Sequence, residues 1–198
     1  MQKLQLFIII LVVIFLFAGG DYAINSPRGE NSSLPEQAES ADLEADPNVT
    51  QMLLASDRSK FPYRITSRSR VKEIFEKFDM SSVGDIRIYK NVLSRVEEDA
   101  DPSSAITIYE IQGPKNQGRL SYLNIKLKII DQKDLTTSIN EEGGYGYNSF
   151  FYNDVNNPST GYLFTQIKDE LFGFQYPKDV PENFERVKDM VAALMVLL

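Results

Sequence analysis

The sequence predicts an α+β fold: an antiparallel sheet of about five to six strands, with an N-terminal and a C-terminal helix packed on one face. Three observations carry that prediction. Between Gly84 and Tyr176 the apolar residues recur mostly with period two, the habit of antiparallel strands that face a core on one side and water on the other. Apolar residues at helical spacing bracket that region: Val71, Ile74, Phe75 and Phe78 before it, and Phe184, Val187, Val191 and Leu194 after it. Turn signals such as Gly113-Pro114 and Gly143-Gly144 cut the middle into short runs.

The chain opens on Leu4–Gly20, LQLFIIILVVIFLFAGG, with no polar or charged side chain from Leu6 to Ala18. A spanning helix needs roughly 20 apolar residues and at least about 17, so residues 4–20 read as a single apolar helix in a membrane. A cleaved signal peptide is the alternative, with Lys3 as the basic start, Leu6–Phe17 as the core and Ala18-Gly19-Gly20 as the cleavage site. Both readings export the remainder of the chain, because Lys3 before the stretch and Asp21 after it keep the N-terminus cytoplasmic. Residues 1–20 are therefore expected to be a membrane anchor or signal peptide. The expected location is a single-pass membrane protein with an extracytoplasmic domain, or a secreted or periplasmic one if the chain is cut after Gly20.

Residues 21–58 read as a disordered acidic linker, too poor in apolar residues to offset the entropy of ordering. Near its end Pro47 opens a short helix through Val49, Met52, Leu53 and Leu54. Residues 59–198 are expected to form the α+β domain. Its first helix is placed over Ser69–Phe78, with Val71, Ile74, Phe75 and Phe78 on one face. Strands follow at Asp85–Val96 and Ala105–Ile111, then Gly113–Gly118 as a hairpin loop. A strand over Arg119–Ile130 comes next, where Leu123, Ile125, Leu127 and Ile129 alternate with Asn124, Lys126 and Lys128. A short strand at Leu135–Ile139 precedes strands at Tyr145–Asn153 and Gly161–Tyr176, around a loop at Asp154–Thr160. The final helix starts at Asp179-Val180-Pro181-Glu182, with Asp179 as N-cap and proline in the first turn. It turns Phe184, Val187, Val191, Leu194, Met195 and Leu198 inward. Its last nine residues, MVAALMVLL, are wholly apolar but too few to span a bilayer. They pack into the core, or against a second copy as a homodimer through the C-terminal helix.

Composition excludes more than it assigns. The chain has no histidine and no cysteine. That removes a disulfide framework, thiol chemistry, histidine-based serine or cysteine nucleophiles and the usual zinc ligand sets. The net charge of −7 belongs to the linker: residues 21–57 hold eight acids against Arg28, whereas 58–198 carry 19 basic and 20 acidic residues. Nucleic-acid binding by bulk charge is not expected. No catalytic residue, metal site or cofactor is assigned, and the domain reads as non-catalytic. A carboxylate-based hydrolase pairing Glu110 with Asp169 or Glu170 is the distant alternative.

Ten of the chain's 22 aromatic residues lie between Tyr145 and Tyr176. One reading is core packing, since aromatics dominate burial energetics. The other is a small-molecule or glycan platform built on Tyr145, Tyr147, Phe151, Tyr152 and Tyr162, with glycines loosening the backbone between them.

From residue 69 to 130 the chain resembles the Tim21/Coa1-like family. The residues that carry the likeness are the N-terminal apolar segment, VKEIFEKF, and ITIYEIQGPKNQGRLSYLNIKLK, which looks like the family's strand, Gly-rich hairpin and strand. The resemblance implies a small membrane-tethered α+β domain that assists assembly of membrane complexes. The function expected from all of this is a membrane-tethered extracytoplasmic domain that binds another envelope or membrane protein.

Overall fold

The computed structural model describes residues 48–96, 105–131, 137–140 (backbone only), 145 and 148–198. The apolar segment at 4–20 and nearly all of the linker lie outside the described residues. The elements are α1 (Val49–Ser56), β1 (Tyr63–Val71), β2 (Glu73–Ile74), β3 (Phe78–Asp79), β4 (Arg87–Arg95), β5 (Ile106–Gln112), α2 (Gly118–Ile130), β6 (Thr137–Asn140), β7 (Asn148–Asp154), β8 (Thr160–Ile167), β9 (Glu170–Pro177) and α3 (Glu182–Leu197).

The fold is α+β around one antiparallel sheet of seven strands in the order β1-β4-β5-β9-β8-β7-β6, with β2 and β3 as a separate two-stranded hairpin. The first half of the chain lays down β1, β4 and β5. The chain then runs through α2 to the far edge, and β6, β7, β8 and β9 return by a meander until β9 pairs with β5.

Period-two alternation decides which side chains meet which helices. On β5, Ile106 and Ile108 join Leu93, Leu163, Phe172 and Phe174 against Leu53 of α1 and Val187, Val191 and Leu194 of α3. Tyr109 and Ile111 point the other way, with Ile88, Phe150, Phe164 and Leu171, against Tyr122, Ile125 and Ile129 of α2 and Phe75 of the hairpin. Each fully buried side chain of this size is worth about 1.5–3 kcal/mol of transfer free energy. The helices therefore cover both faces. α1 and α3 share one face and α2 occupies the other, so the helices are not confined to one face, and the N-terminal helix of the pair is Val49–Ser56 rather than the expected Ser69–Phe78.

Three elements differ from expectation, each for a physical reason. Gly161–Tyr176 is not one strand but two, β8 and β9, because the chain reverses between them at Lys168, which holds a φ of 54°. Ser69–Phe78 is not a helix: it is the end of β1 and most of the β2–β3 hairpin. Ile74 and Phe78 are cross-strand partners, so they share a face four residues apart just as they would on a helix. Phe75 folds inward from the turn between them. Arg119–Ile130 is not a strand, and Gly113–Gly118 is not a hairpin loop. The alternation at Leu123, Ile125, Leu127 and Ile129 arises because α2 is apolar on two opposite sides, Ile125 and Ile129 inward, Leu123 and Leu127 outward. At the last helix the N-cap is Pro181, not Asp179, and Met195 is 46% exposed rather than inward.

Beneath α1 the interior is polar. The Glu110 carboxylate, 1% exposed, accepts the backbone N–H of Thr50 at 2.6 Å and the Thr50 hydroxyl, both at the N-terminus of α1. Its other oxygen takes Arg68 Nη1 at 3.4 Å, from the edge strand β1. Arg68 also donates to Asn91 Oδ1 and lies over the Tyr89 ring with its guanidinium carbon 4.6 Å from the centroid. One side chain thus supplies the counter-charge to Arg68 and the missing acceptor for a helix start, where unpaired N–H groups otherwise remain. Replacing Glu110 by Ala is expected to lower stability by about 3–5 kcal/mol, read as a shift in the urea midpoint.

α2 is seated just as tightly. A Cβ at Gly118 would lie 2.7 Å from Asp169 Cα and 2.9 Å from its carbonyl oxygen, so the helix start abuts the backbone of the β8–β9 turn. Ala improves an exposed helix position by about 1 kcal/mol over Gly, but here the overpacking cost of about 1–3 kcal/mol wins. Gly118→Ala is therefore expected to destabilise, and a thermal melt gives the sign.

Candidate interaction surface

α2 has 13 residues, GRLSYLNIKLKII. Its inner side is Gly118, Ser121, Tyr122, Ile125 and Ile129, all buried. Its outer side carries Leu120, Leu123, Leu127 and Ile130, with exposures of 54%, 42%, 62% and 52%. Among the described residues nine large hydrophobic side chains are exposed, and these four form a single stripe along one helix face. Scattered exposed aliphatics are ordinary, whereas these four lie in one contiguous line. Beside the C-terminal half of the stripe runs a groove of about 700 Å³, walled by Ser82, Val83 and Gly84 and by Asn124, Leu127, Lys128 and Ile130 of α2.

The charges on α2 share one sign. Arg119, Lys126 and Lys128 are its ionisable side chains other than Tyr122, and Asp131 follows only at the C-cap. Lys128 Nζ donates to Ser82 Oγ at 3.1 Å, tying the helix to the loop that walls the groove. Sequence reading missed this surface because it took α2 for a strand. A count of apolar positions at spacings of three and four, 120, 123, 127 and 130, held the signal.

The aromatic residues singled out from the sequence are divided between the two faces. Tyr152 (1% exposed) and Tyr162 (5% exposed) lie in the core on the α2 side. Phe151 and Tyr145 are half-buried on the α3 side, where they pack on each other and on Phe184. Tyr147 lies outside the described residues. Tyr152 and Tyr162, with Tyr109, form a cage around Phe75, whose ring centroid is 5.0 Å from that of Tyr162 and 5.5 Å from that of Tyr109. Gly173 makes the seat: a Cβ there would sit 3.1 Å from the Phe75 ring. Phe75 and its neighbour Glu76 both hold positive φ, 58° and 55°, a turn geometry that favours Asn or Gly. The strain persists because the aromatic cage holds Phe75, while Glu76 pairs with Lys90 and Lys77 Nζ lies 3.1 Å from Asp154 Oδ2.

Of the carboxylates considered for hydrolysis, Glu170 is perturbed: burial first, then the charges of Glu110 and Asp169, push its carboxyl above its ordinary 4.5, the direction a general acid needs. Glu110, however, is closed off from water, with both oxygens occupied by Thr50 and Arg68. Among the described residues no group of three or more acids, His or Cys could hold a metal ion, and no helix is long and apolar enough to cross a membrane.

Comparison with known proteins adds little. No family model and no curated protein matches the chain. A crystal structure of a GTP-binding regulator from Thermotoga maritima shares 14% identity and a TM-score of 0.43, over 75% of this chain and 89% of that one. A likeness of that size carries nothing about the chemistry of this chain.

The Lys77–Asp154 pair, a clasp between the hairpin turn and β7, is sensitive to acid. Burial raises the Asp154 carboxyl, but the Lys77 ammonium and the Asn156 N–H outweigh it and hold the group below its ordinary 3.8. A carboxyl depressed in the folded state stabilises above its unfolded pKa and loses that contribution as pH falls through the folded value. Thermal stability should therefore fall as pH drops below about 4, with a shallower fall in Asp154→Asn; equal slopes for both proteins would show that the clasp contributes nothing.

Proposed function

We propose that this chain is a non-catalytic, membrane-tethered extracytoplasmic domain that binds another membrane or envelope protein through the outer face of α2. The single observation that carries the binding part is the exposed stripe Leu120, Leu123, Leu127 and Ile130 on a helix whose opposite side is fully engaged with the sheet. A domain that leaves four aliphatic side chains in water along one line carries a standing solvation cost of about 0.8 kcal/mol per CH₂ that could be buried, which a partner relieves. Support for the tether comes from the composition of residues 4–20 followed by the acidic stretch 21–58. An assembly or scaffolding role within a membrane complex suits such an arrangement, because the spacer lets the domain reach a partner at variable distance.

The reading is tested by placing a photoreactive residue at position 127 in the full chain and crosslinking in the native membrane. The expected result is one reproducible protein adduct from position 127 that is lost when Leu123→Asp is added, with the folded stability changed by no more than about 0.5 kcal/mol. An adduct that survives Leu123→Asp, or no reproducible protein adduct from α2, would sink it.

A further inference from the structure

Resting on that docking reading, the stripe also specifies what docks. We propose that the occupant of α2 is an amphipathic helix of the partner protein, apolar along a heptad seam and acidic along its flanks. Leu120, Leu123, Leu127 and Ile130 have the spacing three, four, three. That is the a-d-a-d series by which one helix receives the side chains of another, rather than the broader stripe that faces a globular core. The inward side of α2 already carries its own apolar set, so the outer seam is surplus to the fold. The groove beside it, between the 82–84 loop and the helix, gives the second helix a hole for its side chains on one flank.

The flanks select the sign of the partner. Arg119 and Lys126 stand one heptad apart on one edge of the seam, and Asn124 and Lys128 lie on the other. In paired helices such flanking positions set partner choice by charge. A second copy fits poorly: antiparallel, it sets Arg119 and Lys126 against their own counterparts, and parallel, it offers only Asp131 as counter-charge. A lipid surface can also take a Leu-rich face flanked by Lys and Arg, and the vesicle measurement below separates it from the acidic helix. From Leu120 to Ile130 the seam is about 15 Å long, so the contact is small, in the size class of transient encounters.

The test uses the full chain in nanodiscs of zwitterionic lipid and two dye-labelled 21-residue peptides. Both carry Leu and Ile at the seam positions; one has Glu and the other Lys at the flanks. The acidic peptide should bind with a micromolar dissociation constant, at least ten-fold tighter than its basic twin. Binding should weaken several-fold on raising salt from 50 to about 500 mM and disappear in Leu127→Asp. Equal binding of the two peptides overturns the charge assignment. If neither peptide binds while the position-127 adduct is still formed, the docking reading stands and the acidic-helix proposal fails. A dimer in sedimentation that Leu127→Asp converts to monomer gives the seam to a second copy, and Leu127-dependent binding to anionic vesicles gives it to lipid; either result overturns the proposal.

Discussion

The buried carboxylate of Glu110 is the constraint around which the α1–α3 face is arranged. It sits on β5, near the middle of the sheet, and it is the common partner of an edge strand through Arg68 and of a short helix through Thr50. A charge 1% exposed cannot be left unpaired, so β1 and α1 must both be in place for the centre to be satisfied. α1 has only eight residues, far below the length at which a helix holds itself together in water. Its persistence comes from the acceptor beneath its first turn and from Leu53, which is fully buried against α3 and the sheet.

The opposite face is organised by different means. α2 carries no side-chain cap and is held by close backbone approach at Gly118 and by Tyr122 stacked on Phe164. Next to it the hairpin inserts Phe75 among three tyrosines in a strained turn. One face is thus closed by a polar latch and the other by aromatic packing, and only the aromatic side ends in an uncovered apolar stripe. That asymmetry is what makes the outer surface of α2 a candidate for recognition rather than an accident of composition.

The strands at Ala105–Ile111 and Tyr145–Asn153 were legible from their β-branched and aromatic content. The short helix after Pro47 was legible from Val49, Leu53 and Leu54. What misled was coincidence between periods. In a hairpin closed by the three residues 75–77, positions 74 and 78 face the same way as they would on a helix. In a helix apolar on two sides, residues 123, 125, 127 and 129 alternate as they would in a strand. The uncovered surface was hidden by the second coincidence, since a strand reading assigns Leu123 and Leu127 to the core. The Glu110 network could not be read at all, because its members are 60 and 42 residues apart in the chain and no local pattern links them.

The junction of β5 with β9 carries a consequence for how the molecule comes into being. These neighbours in the sheet are far apart in the chain, with Tyr109 opposite Gly173, and everything between them must be laid down before they meet. Closing so long a loop is entropically costly, and sheets built on such distant pairings fold slowly. During synthesis β1, β4 and β5 emerge first, with one side of β5 a bare edge until the last strand arrives. An exposed edge of this kind is an open template for other chains, so the nascent domain spends its early life in its most aggregation-prone form.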